Sequence, residues 1–212
     1  MSAKSGGKLP PLEIKCTSTD CDNELHCFQL TKKMLEAGPE GRCRSCGKQL
    51  VNWDRVHRGE IEDAQYTFEA MRYELIRHRF WHIPFSEYAS NYAHRKGKSA
   101  LWLAARNTII KAVANPSHPA QGRQTPRENK PTANAIHYAQ HATASCCRLC
   151  LEEWHGIARD QPLTPDQVGY LTQLAMLYIE TRMPDLSSEP MRIPPRRIRS
   201  GTPERIELSH AS

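Results

Sequence analysis

Apolar residues recur at intervals of three and four along much of the chain, and this period predicts amphipathic helices. A helix is expected from about residue 60 to residue 82, ended by Pro84. Its apolar stripe contains Ile61, Ala64, Phe68, Met71 and Leu75. Ser86 is placed to cap a short helix that follows, and a longer helix is expected at 99–114. The pattern therefore predicts a mainly α-helical domain.

Two more helices are predicted in the second half of the chain. One covers part of 138–155 and ends at Gly156, a residue type that suits the left-handed end of a helix. The other starts at Thr164, where Pro165 takes the first helical position and Gln167 completes a capping box. In all, we expect a domain of about four to five helices.

The rest of the chain lacks this helical period. Short β-like runs at 25–30 and 49–53 flank turn signals, which predicts a small β zinc ribbon before the helices. A polar loop at 115–133 contains four prolines and is longer than loops in compact domains usually are. The predicted division is a flexible leader at 1–12, a zinc-ribbon-like segment at 13–55, the helical domain at 60–183 and a disordered tail rich in proline and arginine at 184–212.

The cysteines of the N-terminal segment have the spacing of a metal site. A Cys-x4-Cys pair is followed by a Cys-x2-Cys pair with a glycine directly after it. Such turns direct their thiolates at one tetrahedral ion, and two of them are typical of zinc ribbons. We therefore expect a closed, structural zinc site at Cys16, Cys21, Cys43 and Cys46. The alternatives are His26 or Cys27 in place of one ligand, or buried structural thiols without metal.

A second cluster contains three cysteines and two histidines within fifteen residues. Cysteines three or four positions apart share one face of a helix, so these thiols converge if the segment is helical. The candidate ligands for a second metal ion are His141, Cys146, Cys147, Cys150 and His155. Small buried core residues and a cysteine nucleophile are the alternatives.

The positive charge is concentrated in one stretch of the chain. The chain carries a net charge of +6, and residues 72–133 alone contribute +8 from 11 basic and 3 acidic side chains. Such a block suits DNA or RNA, and a solvated basic surface is the alternative. The predicted contact residues are Arg95, Lys96, Lys98, Arg106, Lys111, Arg123 and Arg127.

The composition argues against several classes of protein. No stretch approaches the ~18 apolar residues of a membrane-spanning helix, and we expect neither membrane contact nor a secretory signal. The eight cysteines fall into two groups, whereas a disulfide scaffold would spread them along the chain. We therefore expect a cytoplasmic protein, in which thiols stay reduced and clustered cysteines bind metal.

The second cluster belongs to a longer series of motifs. These are Gln124-Thr125-Pro126, Gln140 to Ala144, Cys146-Cys147-Arg148, Cys150-Leu151 and Trp154 to Ile157. The series resembles a family of bacterial and phage-associated domains of unknown function, over about residues 60–186. The chain departs from the family pattern at 127–131, where glycine, then histidine or asparagine, then proline is expected. The resemblance implies that the Gln-Thr-Pro loop and the cysteine run act together, and it implies no mechanism.

Three kinds of function fit these patterns. The favoured interpretation is a zinc-binding, nucleic-acid-associated protein. A zinc-dependent hydrolase or nuclease ranks second, because the sequence has no His-Glu-x-x-His, deaminase or P-loop motif. Its candidate catalytic residues are His141, Cys147, Glu152 and Glu153, with Arg123 or Arg148 to hold an anionic group. The third is an interaction adaptor that recruits a protein partner through the tail.

Overall fold

The computed structural model describes residues 14–38, 41–116 and 125–193. These residues contain eight helices, and the predicted helical class is confirmed. The helices are α1 (Lys32–Glu36), α2 (Trp53–His57), α3 (Ala64–Met71), α4 (Leu75–His82), α5 (Glu87–Ile109), α6 (Ala135–Ala142), α7 (Arg148–His155) and α8 (Pro165–Arg182). Short 3-10 turns lie at Cys21–Asn23 and Ile61–Asp63, and a π turn at Ile110–Ala114 follows α5.

The main core lies between α4, α5, α6 and α8. Helix α8 begins as predicted, because the Thr164 hydroxyl accepts a hydrogen bond from the Gln167 N–H at 3.2 Å and the Gln167 side-chain oxygen accepts one from the Thr164 N–H at 3.0 Å. Its predicted stripe is almost entirely buried: Val168, Leu171, Ala175 and Tyr178. None of the helices in the described part of the chain is both long and apolar enough to cross a bilayer.

The helix predicted over 60–82 is two helices, α3 and α4. Between them Glu74 is extended, with φ −92° and ψ 123°. This extended residue pairs with His26 of the N-terminal segment, whose N–H donates to Tyr73 O at 2.6 Å and whose carbonyl accepts from Leu75 N–H at 3.0 Å. The break therefore gives the N-terminal segment a backbone docking point, which a period of apolar residues does not reveal.

Helix α5 unites the short helix predicted after Ser86 with the helix predicted at 99–114. It bends at Gly97, whose φ of 67° lies in the left-handed region. A Cβ there would lie 2.6 Å from the backbone of Glu189, so only glycine fits. Residues 184–193, which the sequence assigns to a disordered tail, lie against this bend. The predicted leader at 1–12 and residues 194–212 are outside the described residues.

The helix predicted within 138–155 also forms two helices, α6 and α7. A buried turn separates them, and Ala144 in this turn has a φ of 53°. The Ser145 N–H donates to Gln140 O at 2.9 Å, which folds the chain back at the end of α6. Helix α7 ends at Gly156 with φ 62°, as predicted.

The β-like runs predicted at 25–30 and 49–53 do not form strands in the described residues. Instead, single antiparallel bridges join Asp20 to Leu25 and Arg42 to Gln49, and each closes a turn that carries cysteine. The segment docks on α7 through three aromatic rings, with centroid separations of 5.0 to 5.8 Å. These rings belong to Phe28, Trp53 and Trp154. The N-terminal segment and α7 therefore share one apolar core.

Candidate metal centres

Four ligand atoms from the N-terminal segment converge at one point. They belong to Cys21, His26, Cys43 and Cys46, and all lie within 4.8 Å of one another. We call this group the first centre. Zinc–sulfur bonds of ~2.3 Å place the sulfurs of a tetrahedral site about 3.8 Å apart. The Cys21 and Cys43 sulfurs are 3.7 Å apart, so the group has the dimensions of a tetrahedral thiolate site.

Two closed turns hold these ligands. The Asp20–Leu25 bridge closes the turn that begins at Cys21, and the Arg42–Gln49 bridge closes the turn at 43–46. In the second turn the Gly47 N–H donates to Cys43 O at 2.9 Å, and Gly47 has a φ of 76°. The Ser45 N–H points at the Cys43 sulfur at 3.4 Å. This is the tight cysteine turn expected from the Cys-x2-Cys-Gly spacing.

His26 is oriented as a metal ligand from both sides of its ring. Its Nδ1 lies 3.4 Å from the Cys46 sulfur, and its Nε2 lies 3.4 Å from a carboxylate oxygen of Glu24. Lys48 in turn donates to the other oxygen of Glu24 at 2.7 Å. A histidine whose outer nitrogen donates to a carboxylate presents its other nitrogen to a metal. The backbone pairing with Glu74 fixes the ring in this position.

The thiols of the first centre have opposed pKa shifts. Burial and hydrogen bonds to Cys43 and Cys46 raise the pKa of Cys21 to about 12. Burial also acts to raise the pKa of Cys43, but backbone N–H groups of Cys46, Cys27 and Ser45 outweigh it and lower that pKa to about 6. One thiolate is thus favoured while a second is opposed, and a cation is needed to hold all of them ionised.

Cys16 and Cys27 do not belong to this group of ligand atoms. The Cys27 thiol is fully buried and donates to Cys16 O at 3.3 Å. Burial raises the pKa of Cys27, which keeps this thiol neutral. The structure therefore brings together three of the four cysteines predicted for the first site and completes the set with His26, one of the alternatives that the sequence offers.

A second group of ligand atoms lies between α6 and α7. The sulfurs of Cys146, Cys147 and Cys150 are all within 4.8 Å of one another, and we call them the second centre. The distance to the Cys150 sulfur is 3.6 Å from Cys146 and 3.5 Å from Cys147. These separations again approach the edge of a tetrahedral thiolate site.

The buried turn before α7 places these cysteines. Cys147 is the residue before the first turn of α7, and Cys150 lies within that turn. Thr125, from the Gln-Thr-Pro loop, donates its hydroxyl to Cys146 O at 2.9 Å. The side-chain amide of Gln140 donates to Ser145 O at 3.1 Å. Loop and cysteine run are thus in direct contact, and the motif residues hold the turn in place.

A buried ion pair adjoins the second centre. The Arg77 guanidinium donates to Glu74 at 3.0 Å and to the Cys150 sulfur at 2.9 Å. Both charged side chains are only 1% exposed. The Trp154 indole also donates to Glu74, at 2.8 Å. Because buried charges are stable only when paired, Glu74 and the cysteine sulfurs together hold the Arg77 charge in place.

The charge around Arg77 extends beyond its direct contacts. Burial acts to lower the pKa of Arg77, but negative charge on the neighbouring groups raises it well above its ordinary value. These groups are Cys150, Glu74, Cys146 and Cys16. The last of these belongs to the N-terminal segment, so the groups that raise the pKa of Arg77 come from both sides of it in the sequence.

The two histidines predicted as ligands of the second site are not part of the sulfur group. The Nε2 of His141 lies 3.0 Å from Thr125 O, and that of His155 lies 2.9 Å from Thr143 O. Burial lowers the pKa of His141 to about 3 and that of His155 to about 4. Both rings are therefore neutral near pH 7 and donate to backbone carbonyls.

The other candidate catalytic residues have varied surroundings. Hydrogen bonding to Cys146 raises the pKa of Cys147 to about 11, which disfavours a thiolate nucleophile. Glu152 pairs with Arg159 at 2.6 Å. Burial raises the pKa of Glu153 well above its ordinary value. Arg148 donates to backbone carbonyls of Val113, Ala158 and Gln161.

The residues predicted to contact nucleic acid lie mostly on or near α5. Lys98 pairs with Glu180 at 3.1 Å, and Arg127 lies 3.6 Å from Glu128. Arg95 and Lys111 are exposed, Arg106 is half-buried, and Lys96 lies over the Tyr92 ring. Arg123 lies outside the described residues. Contact with DNA or RNA stays a prediction.

The fold and the two centres define a mainly helical protein with two cysteine-rich groups compatible with metal binding. Residues 65–180 match a domain of unknown function, DUF4186, and this match covers more than half of the chain. The chain therefore belongs to that family, which confirms the resemblance to a domain family without known function. No solved structure matches the chain. The second centre lies inside the matched region and the first centre lies before it.

Two residues beside the centres were missed by reasoning from spacing. The position of Glu24 could have indicated its role, because it lies two residues before His26, a candidate ligand. Arg77 could have been identified differently, because it lies between the apolar residues Ile76 and Phe80 of a predicted helix. A charged side chain on an apolar helix face indicates that it is buried with a partner of opposite charge.

Proposed function

We propose that this protein binds zinc at the first centre, and that this ion holds the two turns of the N-terminal segment together. The observation that supports it is the convergence of four ligand atoms from two turns, with His26 held by Glu24 on its outer side. Three thiolates and one imidazole suit zinc, and four protein ligands leave no open position for a substrate. The ion is therefore structural.

The second centre is proposed as a separate metal site. Its three sulfurs converge and lie beside the Arg77 cation, which offsets the charge of thiolates. All eight cysteines are free thiols, which favours a reducing compartment such as the cytoplasm. A zinc-dependent hydrolase would need an open metal position here, so the ligand set of this centre decides between a structural and a catalytic ion.

The charge distribution favours one more function, which is association with DNA or RNA. Exposed Arg95 and Lys111, with the basic residues of 72–133, supply the positive surface. Binding should weaken steeply as salt rises, because phosphate contacts release counterions. Binding that is absent at low salt, or that does not change with salt, contradicts this association. The adaptor alternative depends on a tail that lies mainly outside the described residues.

Zinc content of the reduced full chain tests the two centres. Native mass spectrometry should give two zinc ions per chain, falling to one in His26→Ala and to one in the double variant Cys147→Ala, Cys150→Ala. In His26→Ala the segment before α3 should become sensitive to protease while α3 to α8 stay resistant. His82→Ala, which changes an exposed histidine, is the matched control and should keep both ions.

Each result decides one centre. Two zinc ions in His26→Ala would remove His26 from the ligand set and favour Cys16, the ligand that the spacing indicates. One zinc ion in the wild type, unchanged in the Cys147→Ala, Cys150→Ala variant, would remove the second centre.

A further inference from the structure

The start of α7 carries a pair of thiols in the arrangement of a redox-active dithiol. Cys147 directly precedes the first turn of α7, and Cys150 lies within that turn. Only two residues separate them, and Cys-x2-Cys pairs with this placement are typical of proteins that exchange disulfides. Cys43 and Cys46 have the same spacing, but they lie on a closed turn outside the helices. The position on a helix therefore sets Cys147 and Cys150 apart from the pair of the first centre.

The sulfurs of Cys147 and Cys150 are close enough to be joined. They are 3.5 Å apart, and a disulfide bond is ~2.0 Å long, so the sulfurs approach each other by about 1.5 Å when the bond forms. The Cys146 sulfur is also near, at 3.6 Å from that of Cys150. Cys150 is thus the common neighbour of two thiols, and exposure decides which of the two reacts with a reagent from solvent.

Cys147 is the thiol that solvent reaches. It is half-buried, whereas Cys146 and Cys150 are only 4% and 2% exposed. A disulfide in solution therefore meets Cys147 first, and the mixed disulfide that forms there lies beside the buried sulfur of Cys150. An accessible attacking thiol and a buried resolving thiol are the two parts that an internal disulfide needs in order to form.

We propose that Cys147 and Cys150 form a reversible disulfide by exchange with a small-molecule disulfide of the glutathione class. In the first step the Cys147 thiolate attacks the reagent, whose S–S bond breaks, and one half leaves as a thiol with the proton that Cys147 gives up. In the second step the Cys150 sulfur attacks that of Cys147, and the other half leaves as a thiol with the Cys150 proton. Two protein thiols are oxidised, and one small disulfide is reduced to two thiols.

This disulfide and a metal ion exclude each other at the second centre, a consequence that rests on the proposed second metal site. Oxidation occupies two of its three sulfurs and leaves that of Cys146 alone. One remaining thiolate is too few to hold a zinc ion, so the ion is released. The first centre keeps its four ligand atoms, because none of them takes part in the reaction. Retention of one of the two ions therefore depends on the redox state of the pair at α7.

Digestion with trypsin detects the disulfide directly. Arg148 lies between Cys147 and Cys150, so cleavage after it puts the two cysteines on separate peptides that only a disulfide joins. The zinc-loaded full chain is incubated to equilibrium with mixtures of reduced and oxidised glutathione, because the raised pKa of the Cys147 thiol makes exchange slow. We expect joined peptides that disappear when reduced glutathione is restored, and loss of one of the two zinc ions in native mass spectrometry.

Two controls assign the pair. Cys146→Ala removes the competing neighbour and should keep the joined peptides, while adding Cys147→Ala in the same chain should lower their amount at least tenfold. Arg44 lies between Cys43 and Cys46, so the same digestion reports on the pair of the first centre. That pair should be joined at least tenfold less than the pair at α7.

The outcomes separate this disulfide from the proposed function. Absence of joined peptides from Cys146→Ala at every glutathione ratio, or equal joining of Cys43 with Cys46, overturns the disulfide. Joined peptides in protein that keeps both zinc ions overturn the competition with metal. One zinc ion per chain before oxidation overturns the second metal site, and the digestion still tests the disulfide. If Cys146→Ala does not fold, fragmentation of the joined wild-type peptides identifies the partner of Cys150.

Discussion

The two centres place similar thiols at different depths of one apolar core. The first centre lies before the family domain, on turns closed by single bridges, and Cys46 in it is exposed. The second lies inside the family domain, where Cys146 and Cys150 are buried in a core that also contains Trp154. The first centre thus lies at the edge of this core, which also contains its Cys43, and the second lies inside it.

This difference separates two uses of a metal ion. At the first centre zinc would supplement the apolar core that the N-terminal segment shares with α7, because a segment of this size cannot bury enough apolar surface on its own. At the second centre zinc would link elements that are already packed. The charged side chains beside the two centres also differ in burial. Glu24 and Lys48 beside the first centre are exposed, while Glu74 and Arg77 beside the second centre are buried.

The largest effect is expected from Arg77→Met, which acts on the second centre. The change leaves the Glu74 carboxylate buried without its cation, and breaking a buried pair costs about 3–5 kcal/mol. Urea unfolding should report this loss of free energy of unfolding. Adding Glu74→Gln in the same chain should restore part of it, because no buried charge is then left unpaired.

The matched exposed pair is the control for Arg77→Met. Lys98→Met removes the partner of Glu180 on the surface and should cost at most about 1 kcal/mol. Equal losses for Arg77→Met and Lys98→Met would mean that burial of the pair has no energetic consequence, and the contrast between the centres would fail.

A smaller effect is expected from Glu24→Gln at the first centre. The substitution weakens the hydrogen bond that orients His26, and loss of such an outer partner typically lowers metal affinity about 10–100-fold. Competition with a chelator should show the loss for one zinc ion and no change for the other. Glu36→Gln, on an exposed residue of α1, is the control. Equal weakening of both ions by Glu24→Gln would show that the centres are not separate.

The smallest effect is a pH dependence from the buried histidines. His155 has a pKa of about 4 in the fold and an ordinary value near 6.5 when unfolded, so the unfolded chain binds more protons between these values. The contribution of the neutral ring to the free energy of unfolding is therefore fully present above about pH 6.5, and it is lost as the pH falls towards 4. His155→Gln, which keeps a donor, should reduce the loss between pH 7 and pH 5 by about 2 kcal/mol in urea unfolding. Loss of zinc from this variant at pH 7 would instead make His155 a ligand.

The helical class follows from the sequence, and the helix boundaries do so only in part. The capping box at Thr164 is local, and it gives the start of α8 correctly. The break at Glu74 is set by backbone pairing with His26, which is 48 positions earlier in the chain. The turn at Ala144 is likewise held by Thr125, whose hydroxyl donates to Cys146 O from 21 positions earlier in the chain. The period of apolar residues does not reveal partners that lie so far away in the sequence.

The candidate centres, like the helix boundaries, could be predicted from the sequence only in part. Spacing identifies Cys43 and Cys46, because the ligands of a Cys-x2-Cys turn are positioned by the turn itself. The choice between Cys16 and His26 depends on which side of the segment meets α4, and that is a tertiary property. Arg77 joins the second centre across 73 positions of sequence to Cys150, so no local pattern could pair them.

The bend of α5 at Gly97 has a consequence for where the folded unit ends. A bent helix lacks some of its own hydrogen bonds, and here the C-terminal segment replaces them: the Lys98 N–H donates to Ser187 O at 3.0 Å, and Met191 N–H donates to His94 O at 2.8 Å. The family match stops at residue 180, yet these backbone groups find their partners between 187 and 191. A chain shortened to the family match would leave helix donors and acceptors unsatisfied, so the minimal autonomous fragment extends at least to residue 191.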